Sequence, residues 1–187
     1  MATASTGKQS NILIIWDSMN LRISRAGALA AALLALPLLS SGAAAQLAIS
    51  SNDGKAVLVN GVNTVPPNPA DHTVTLIDLG VSPPKVVGEL RAPSSVVGPP
   101  QNVAIAPDES FALVSANMKV DSTDPKKLVP DNRLTVIDLQ ANPPAVVATL
   151  ETGLGPAGLS INRAGTLALI ANRNDGTVSI FRSPARR

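Results

Sequence analysis

The chain has 187 residues, of which 45% are hydrophobic and 15% are charged, a composition typical of a folded domain rather than a disordered segment. It contains no cysteine, which excludes disulfide bonds, thiolate catalysis and cysteine-ligated zinc. The formal net charge of +2 comes from residues 1–45, so the rest of the chain lacks the clustered basic surface that nucleic-acid binding requires.

Residues 1–18 contain an apolar, strand-like stretch that ends at Trp16 and Asp17. Residues 11–17 resemble the first strand of sulfatases, in which acidic residues that follow the strand bind calcium. The chain has no cysteine that could become the formylglycine of that family, so no sulfatase activity is expected. We interpret residues 1–18 as a spurious or junction extension, produced by a misassigned start or a gene junction.

Residues 19–45 have the parts of a helical signal peptide in the expected order. Arg22 and Arg25 make its start positive, residues 26–39 are uncharged and apolar, and residues 40–45 are small. The apolar run is shorter than the roughly 20 residues that a membrane-spanning helix needs. The alternative interpretation is a buried helix rich in alanine and leucine.

The small residues Ala43 and Ala45 predict cleavage before Gln46. Cleavage there predicts an exported protein, located in the periplasm, outside the cell or at the cell surface. No stable membrane span is expected after cleavage.

From residue 47 onward one pattern recurs, with equivalent positions at 47, 103 and 159, which are 56 residues apart. The copies cover about 47–102, 103–158 and 159–187 of a predicted domain 46–187. Their predicted strands are 47–49, 56–59, 74–79 and 86–90, then 103–105, 112–115, 134–139 and 146–150, then 159–161, 168–171 and 178–182. The second strand of each copy is almost continuously apolar, which predicts that both of its faces are covered.

Short antiparallel strands at this spacing predict an all-β fold, a partial β-propeller of about two and a half four-stranded blades that follows the helical signal peptide. The ordered motifs Ala112-Leu-Val, Thr135-Val-Ile-Asp-Leu and Val146-Val-Ala-Thr-Leu resemble the YVTN-type propeller repeats of secreted and surface bacterial proteins. That resemblance implies a propeller fold with a binding, surface-layer or lactonase-like role.

Two polar, proline-containing inserts, 61–72 and 117–133, separate the second and third strands of the first two copies. Both are predicted to project from one rim of the stack of blades. Binding residues of repeat proteins are usually found in such loops.

His72 is the only histidine, and the sequence identifies no partner that would position it for catalysis. We therefore interpret it as a solvated loop residue. Asp121, Asp124 and Asp131 lie among basic residues in the second insert, which favours a solvated mixed-charge loop over a calcium site. The sequence therefore predicts no catalytic, cofactor-binding or metal-ligating residue and no cofactor.

Asp78 and Asp138 end equivalent strands, and their recurrence predicts that they accept hydrogen bonds from turn N–H groups. Gly153, Gly155 and Gly158 resemble a phosphate-binding loop in composition. Because Pro156 interrupts the loop and no helix pattern follows, no phosphate-binding loop is predicted.

The sequence favours a non-enzymatic, exported propeller, truncated to this part of the fold, that acts as a binding or surface-interaction module for an unidentified protein or small molecule. Two alternatives stay open: a fragment of a lactonase-like propeller hydrolase, and a non-functional product of an interrupted gene. An incomplete propeller leaves blade faces uncovered, so self-association is a further expectation.

Overall fold

The computed structural model describes residues 46–95, 97 and 102–183, and every structural statement below concerns these residues. The predicted extension 1–18, the signal peptide 19–45 and its cleavage residues Ala43 and Ala45 lie outside them, whereas Gln46 is described. All the regular secondary structure of this part is β. No helix with the length and hydropathy of a bilayer crossing occurs in it.

Twelve strands make up the described part of the chain. They are β1 (Leu47–Asn52), β2 (Val57–Val59), β3 (Val62–Thr64), β4 (Thr73–Asp78), β5 (Lys85–Arg91), β6 (Val103–Ile105), β7 (Phe111–Val120), β8 (Leu128–Asp138), β9 (Ala145–Glu151), β10 (Pro156–Ile161), β11 (Leu167–Asn172) and β12 (Thr177–Arg182).

Ten of these strands form three antiparallel blades. The first blade has the strand order β1-β4-β5, the second β6-β7-β8-β9 and the third β10-β11-β12. Ten strands are the equivalent of two and a half four-stranded blades, so the predicted all-β partial propeller is confirmed. The remaining strands, β2 and β3, form a separate hairpin.

The first blade differs from the prediction in how its strands are assigned. Leu47 in β1 lies opposite Asp78, just as Phe111 lies opposite Asp138 and Leu167 opposite Arg182. The strand β1 therefore takes the second-strand position of its blade, which the sequence analysis had given to residues 56–59. The gap-free repeat relates the second and third blades, but not the first.

The prediction that residues 56–59 are covered on both faces is also wrong. Val57–Val59 pairs with Val62–Thr64, and all residues of both strands are exposed. The turn between them contains Asn60 at φ 49° and Gly61 at φ 81°, the conformation that an Asn-Gly pair favours in a two-residue hairpin. This local turn closes the hairpin and so removes the segment from the blade.

Two apolar clusters join the blades face to face. Val74 of the first blade packs with Ala112, Val114 and Ile137 of the second. On the other face of the second blade, neighbouring residues pack against the third blade; that cluster consists of Leu113, Leu134, Ala168 and Ile170. Because successive side chains of a strand point to opposite faces, the continuous apolar run of β7 supplies both clusters. The prediction that this strand is covered on both faces is confirmed.

Both inserts leave the blades at equivalent places, since one joins β1 to β4 and the other joins β7 to β8. The second insert continues the β7–β8 pairing outward as far as Val120 opposite Leu128. The first insert carries the β2–β3 hairpin, here called the rim hairpin. This agrees with the prediction that both inserts project from one rim.

Candidate functional site

The rim hairpin is attached to the first blade through a tight turn, Asp53-Gly54-Lys55. The backbone N–H of Lys55 donates to Asp53 Oδ1 at 3.0 Å, and the N–H of Ala70 donates to Gly54 O at 2.9 Å. A Cβ at position 54 would lie 2.5 Å from the Ala70 carbonyl oxygen, so only glycine fits against Ala70. The two chain segments that lead into and out of the insert are thereby fixed to each other.

Lys55 is the central residue of this base. Its side chain is only 2% exposed, and its Nζ donates to Asp53 Oδ1 at 2.9 Å and to the Ser94 carbonyl oxygen at 2.7 Å. Ser94 Oγ in turn donates to Asn52 O at 3.1 Å. Burial of a lysine is costly unless its charge is paired and hydrogen-bonded. Here the charge is paired with Asp53, and Nζ makes two hydrogen bonds. Burial lowers the pKa of Lys55, while the hydrogen bond to Asp53 opposes that change.

His72 lies in the loop before β4, as predicted, but it is only partly exposed because it lies beside this ion pair. Its side chain is 29% exposed, and Nδ1 is 3.6 Å from Asp53 Oδ1, beyond hydrogen-bonding distance but close enough for an electrostatic interaction. Burial lowers the pKa of His72, and the positive charge of Lys55 lowers it further. The imidazole is therefore neutral over a wider pH range than usual.

Asp131 completes the polar surroundings from the second blade. It lies in β8 and is buried, whereas the sequence analysis placed it in a solvated loop. Arg133 Nε donates to its two carboxylate oxygens at 3.0 and 2.9 Å, and an Arg133 amino group donates to Oδ2. The Asp131 carboxylate raises the pKa of Lys55, and the Arg133 guanidinium lowers it. The pairs Asp53–Lys55 and Asp131–Arg133 therefore influence each other electrostatically, and together they are called the rim cluster.

The other two aspartates of the second insert behave as predicted. Asp121 Oδ1 accepts hydrogen bonds from the N–H and the hydroxyl of Thr123, both at 2.8 Å. Asp124 forms an exposed ion pair with Lys127 at 3.4 Å. These contacts are those of a solvated, mixed-charge turn.

The predicted structural role of Asp78 and Asp138 is confirmed. Asp78 Oδ1 accepts from the N–H of Gly80 at 2.7 Å, and Asp138 Oδ1 accepts from the N–H of Gln140 at 2.8 Å. Each carboxylate therefore closes the turn that follows its strand.

The glycines of the second-to-third blade connection are turn and strand residues. Gly155 has φ +68°, and its carbonyl oxygen accepts from Asn117 Nδ2 at 2.9 Å. Gly153 N–H donates to Ser179 Oγ at 3.1 Å. Gly158 lies within β10 next to a register shift. The contacts of these glycines are therefore structural contacts of the connection between the blades.

A recurring asparagine is a feature that the sequence analysis missed. Asn52 Nδ2 donates to Thr73 and Thr75, and Asn172 Nδ2 makes the same two bonds to Thr177 and Ser179. The shared pattern of an asparagine at the end of one strand and alternating hydroxyls on the next could have identified β1 as a second strand.

The rim hairpin is the most exposed apolar feature of this region. Val57, Leu58, Val59 and Val62 are 44–70% exposed. Val59 lies opposite Val62 on one face of the hairpin, with Val57 on the same face, while Leu58 points to the other face. No charged residue occurs between residues 57 and 64.

The chemistry available to the rim cluster follows from its burial and its charge balance. Lys55 and Asp53 are closed to solvent, and two carboxylates face two basic groups, so no uncompensated charge is left for an ion. Among the described residues, no group of three or more His, Asp or Glu side chains is arranged to hold a metal. The Asp53–Lys55 pair is therefore a structural contact at the base of the hairpin.

No protein-family profile matches the chain, and no curated protein matches it in sequence. Among solved structures, it is similar to a protein from Bacteroides fragilis provisionally described as a 6-phosphogluconolactonase, with a TM-score of 0.45, 16% identity and coverage of 60% of this chain and 29% of that one. It is also similar to hydrazine synthase of Kuenenia stuttgartiensis, with a TM-score of 0.46, 17% identity and coverage of 73% of this chain and 47% of that one. The matched region spans less than half of the length of each of these two solved chains. The class of this chain rests on its own sheets: three stacked antiparallel blades define a partial β-propeller.

Proposed function

We infer that the chain is the binding module of an exported β-propeller and that the rim hairpin is its contact surface for a protein partner. The observation that carries this proposal is the exposure of four apolar side chains on one short hairpin. Val57, Val59 and Val62 share one face of the hairpin, and contiguous exposed apolar groups of this kind mark interaction sites in soluble proteins. The export part of the proposal rests on the signal-peptide pattern of residues 19–45.

None of the four exposed side chains belongs to the buried clusters that join the blades. An isolated two-stranded hairpin is at best marginally stable in water. Here the buried Lys55–Asp53 pair and the Gly54–Ala70 contact hold both ends of the insert in place. A hairpin fixed in this way loses less conformational entropy on binding, which favours affinity.

The composition of the hairpin indicates the chemistry of the partner. Since residues 57–64 carry no charge, ion pairs cannot select the ligand from this segment. Leu58 on one face and the valines on the other suit a partner with an apolar groove, with further hydrogen bonds to the hairpin edge. A peptide or protein surface is therefore favoured over a small polar ligand.

A selection from a random-peptide phage library, with the purified protein as bait, tests the proposal. Leu58 is 70% exposed, and complete burial of a leucine contributes about 1.5–3 kcal/mol, so its contact is worth about 1–2 kcal/mol. Enriched apolar peptides should consequently bind the Leu58→Ser variant about tenfold more weakly than the wild type. Fluorescence titration of the synthetic peptides measures this difference.

The matched control is Val147→Ser, because Val147 is also an exposed apolar residue but lies on β9, away from the rim hairpin. This variant should bind the peptides as well as the wild type does. Peptides that bind wild type and Leu58→Ser equally well, or the absence of any enriched peptide, would show that the hairpin is not the contact surface. The hydrolase alternative has no specific observation in its favour among the described residues.

A further inference from the structure

The third blade has an apolar face on which no described residue packs. Leu169, Val178 and Ile180 are exposed on this face, and Ile180 is 61% exposed. Leu169 lies opposite Ile180, and Val178 lies opposite Ala171, so the three side chains share one side of the sheet. The other side of the same strands packs against the second blade through Ala168 and Ile170.

The strand register identifies the kind of surface that fits this face. Leu167 of the third blade and Phe111 of the second blade hold equivalent positions. Each of the three exposed residues therefore has an equivalent in the second blade: Leu113 for Leu169, Leu134 for Val178 and Val136 for Ile180. In the second blade these equivalent residues form the side that contacts the third blade. The exposed face of the third blade is therefore a second copy of an established blade-to-blade interface.

The first blade carries the complementary face. By the same register, Ala48 is equivalent to Ala112 of the second blade and Ala168 of the third. Ile77 is likewise equivalent to Ile137 and Phe181. In the second and third blades, these equivalent residues contact the blade that precedes them in the chain. Neither Ala48 nor Ile77 belongs to a described core cluster. Val86, which lies opposite Ile77, is exposed. Two features depart from the pattern. Ser50 stands where the other two blades have Val114 and Ile170. The described part of the first blade also has no counterpart of the first strands β6 and β10, which pack in the two internal interfaces.

We propose that two copies of this chain associate head to tail, with the third blade of each packed on the first blade of the other. Two copies of the three described blades form a ring of six, within the range of about four to eight blades found in closed propellers. A two-fold axis through the ring covers both open faces, so the association closes at the dimer. Ser50 makes the contact weaker than the blade contacts within one chain.

Analytical ultracentrifugation over a concentration series tests this assembly. The wild type should sediment as a monomer in equilibrium with a dimer. The Ile180→Lys variant should weaken dimerisation at least about tenfold, because it places a charge in the apolar contact. The Ser50→Val variant should strengthen dimerisation about tenfold, because it restores the residue type of the two internal interfaces.

Two controls separate this proposal from other causes. Val147→Lys places the same charge at a residue that is 58% exposed on β9, outside both proposed faces, and it should dimerise like the wild type. Leu58→Ser should also dimerise normally, so failure of the rim-hairpin proposal leaves this one intact. Urea unfolding confirms that each variant is folded.

Three results would overturn the proposal. If the wild type and the Ser50→Val variant both stay monomeric, the two faces do not associate. Equal dimerisation of Ile180→Lys and wild type would place the contact elsewhere. Growth into species larger than a dimer would show that the association does not close into a ring.

Discussion

Replacement of Lys55 by methionine tests the rim cluster most directly. The change keeps the length and apolar stem of the side chain, but it removes the bonds of Nζ to Asp53 at 2.9 Å and to the Ser94 carbonyl at 2.7 Å. The Asp53 carboxylate then stays buried without the positive charge that faces it. The free energy of unfolding should fall because a buried charge has lost its counter-ion.

The expected size of the effect follows from the burial of both groups. Removal of one partner from a buried ion pair costs about 3–5 kcal/mol, whereas domains are stabilised by only about 5–15 kcal/mol in total. For a domain of this size the melting temperature should fall by on the order of 10 °C or more. Lys127→Met is the matched control, since Lys127 pairs with Asp124 at the surface and its loss should change stability by less than about 1 kcal/mol.

Urea denaturation followed by circular dichroism measures these differences. The double variant Asp53→Asn/Lys55→Met should be more stable than the sum of the two single changes predicts, because each single change leaves one uncompensated group and the double change leaves none. If Lys55→Met loses no more stability than Lys127→Met, or if the two single changes add, then the Lys55–Asp53 pair does not support the rim as argued.

Two further predictions concern His72 and the connection between the second and third blades. The folded state lowers the pKa of His72 below its ordinary value of 6.5, so the contribution of His72 to stability is full above pH 6.5 and falls as the pH drops below that value. In urea titrations at several pH values, His72→Gln should therefore lose less stability on acidification than the wild type. An unchanged pH profile would contradict this assignment. Gly155 and Gly176 have similar positive φ angles of +68° and +66°. In Gly155→Ala the new Cβ clashes with Asn174 Oδ1, whereas in Gly176→Ala it meets nothing within 4 Å, so Gly155→Ala should cost about 1 kcal/mol more in thermal unfolding. Equal melting temperatures would refute this.

The first blade shows how far the sequence could be interpreted correctly. The run Leu47-Ala-Ile fits the first-strand pattern of residues 103–105 and the second-strand pattern of residues 167–169 equally well. Local alternation identifies a strand but not its neighbour in the sheet, so the assignment of β1 was wrong. The hydrogen bonds of Asn52 to Thr73 and Thr75, which match those of Asn172, place β1 as a second strand.

The candidate site was less predictable than the fold. The Asn60-Gly61 pair is a strong hairpin signal and could have revealed the rim hairpin. The burial of Lys55 left no such signal, because a lysine in a polar turn is normally solvated. Asp131 was misplaced for the same reason: a charged residue in a polar segment gives no local indication that an arginine on the same strand neutralises it.

The sequence by itself determined most of the strands, the turns that separate them and the repeat of the second and third blades, because alternation of apolar residues and turn-forming residues are local properties of the chain. The tertiary structure decided which strands pair, which segment leaves the first blade and which charges are buried. Those outcomes depend on contacts between distant residues, such as the bond from Lys55 to Ser94, which lies 39 positions further along the chain. Local sequence patterns carry no information about such distant partners. They therefore predict the strands of the blades, but not the rim cluster, whose residues come from two blades.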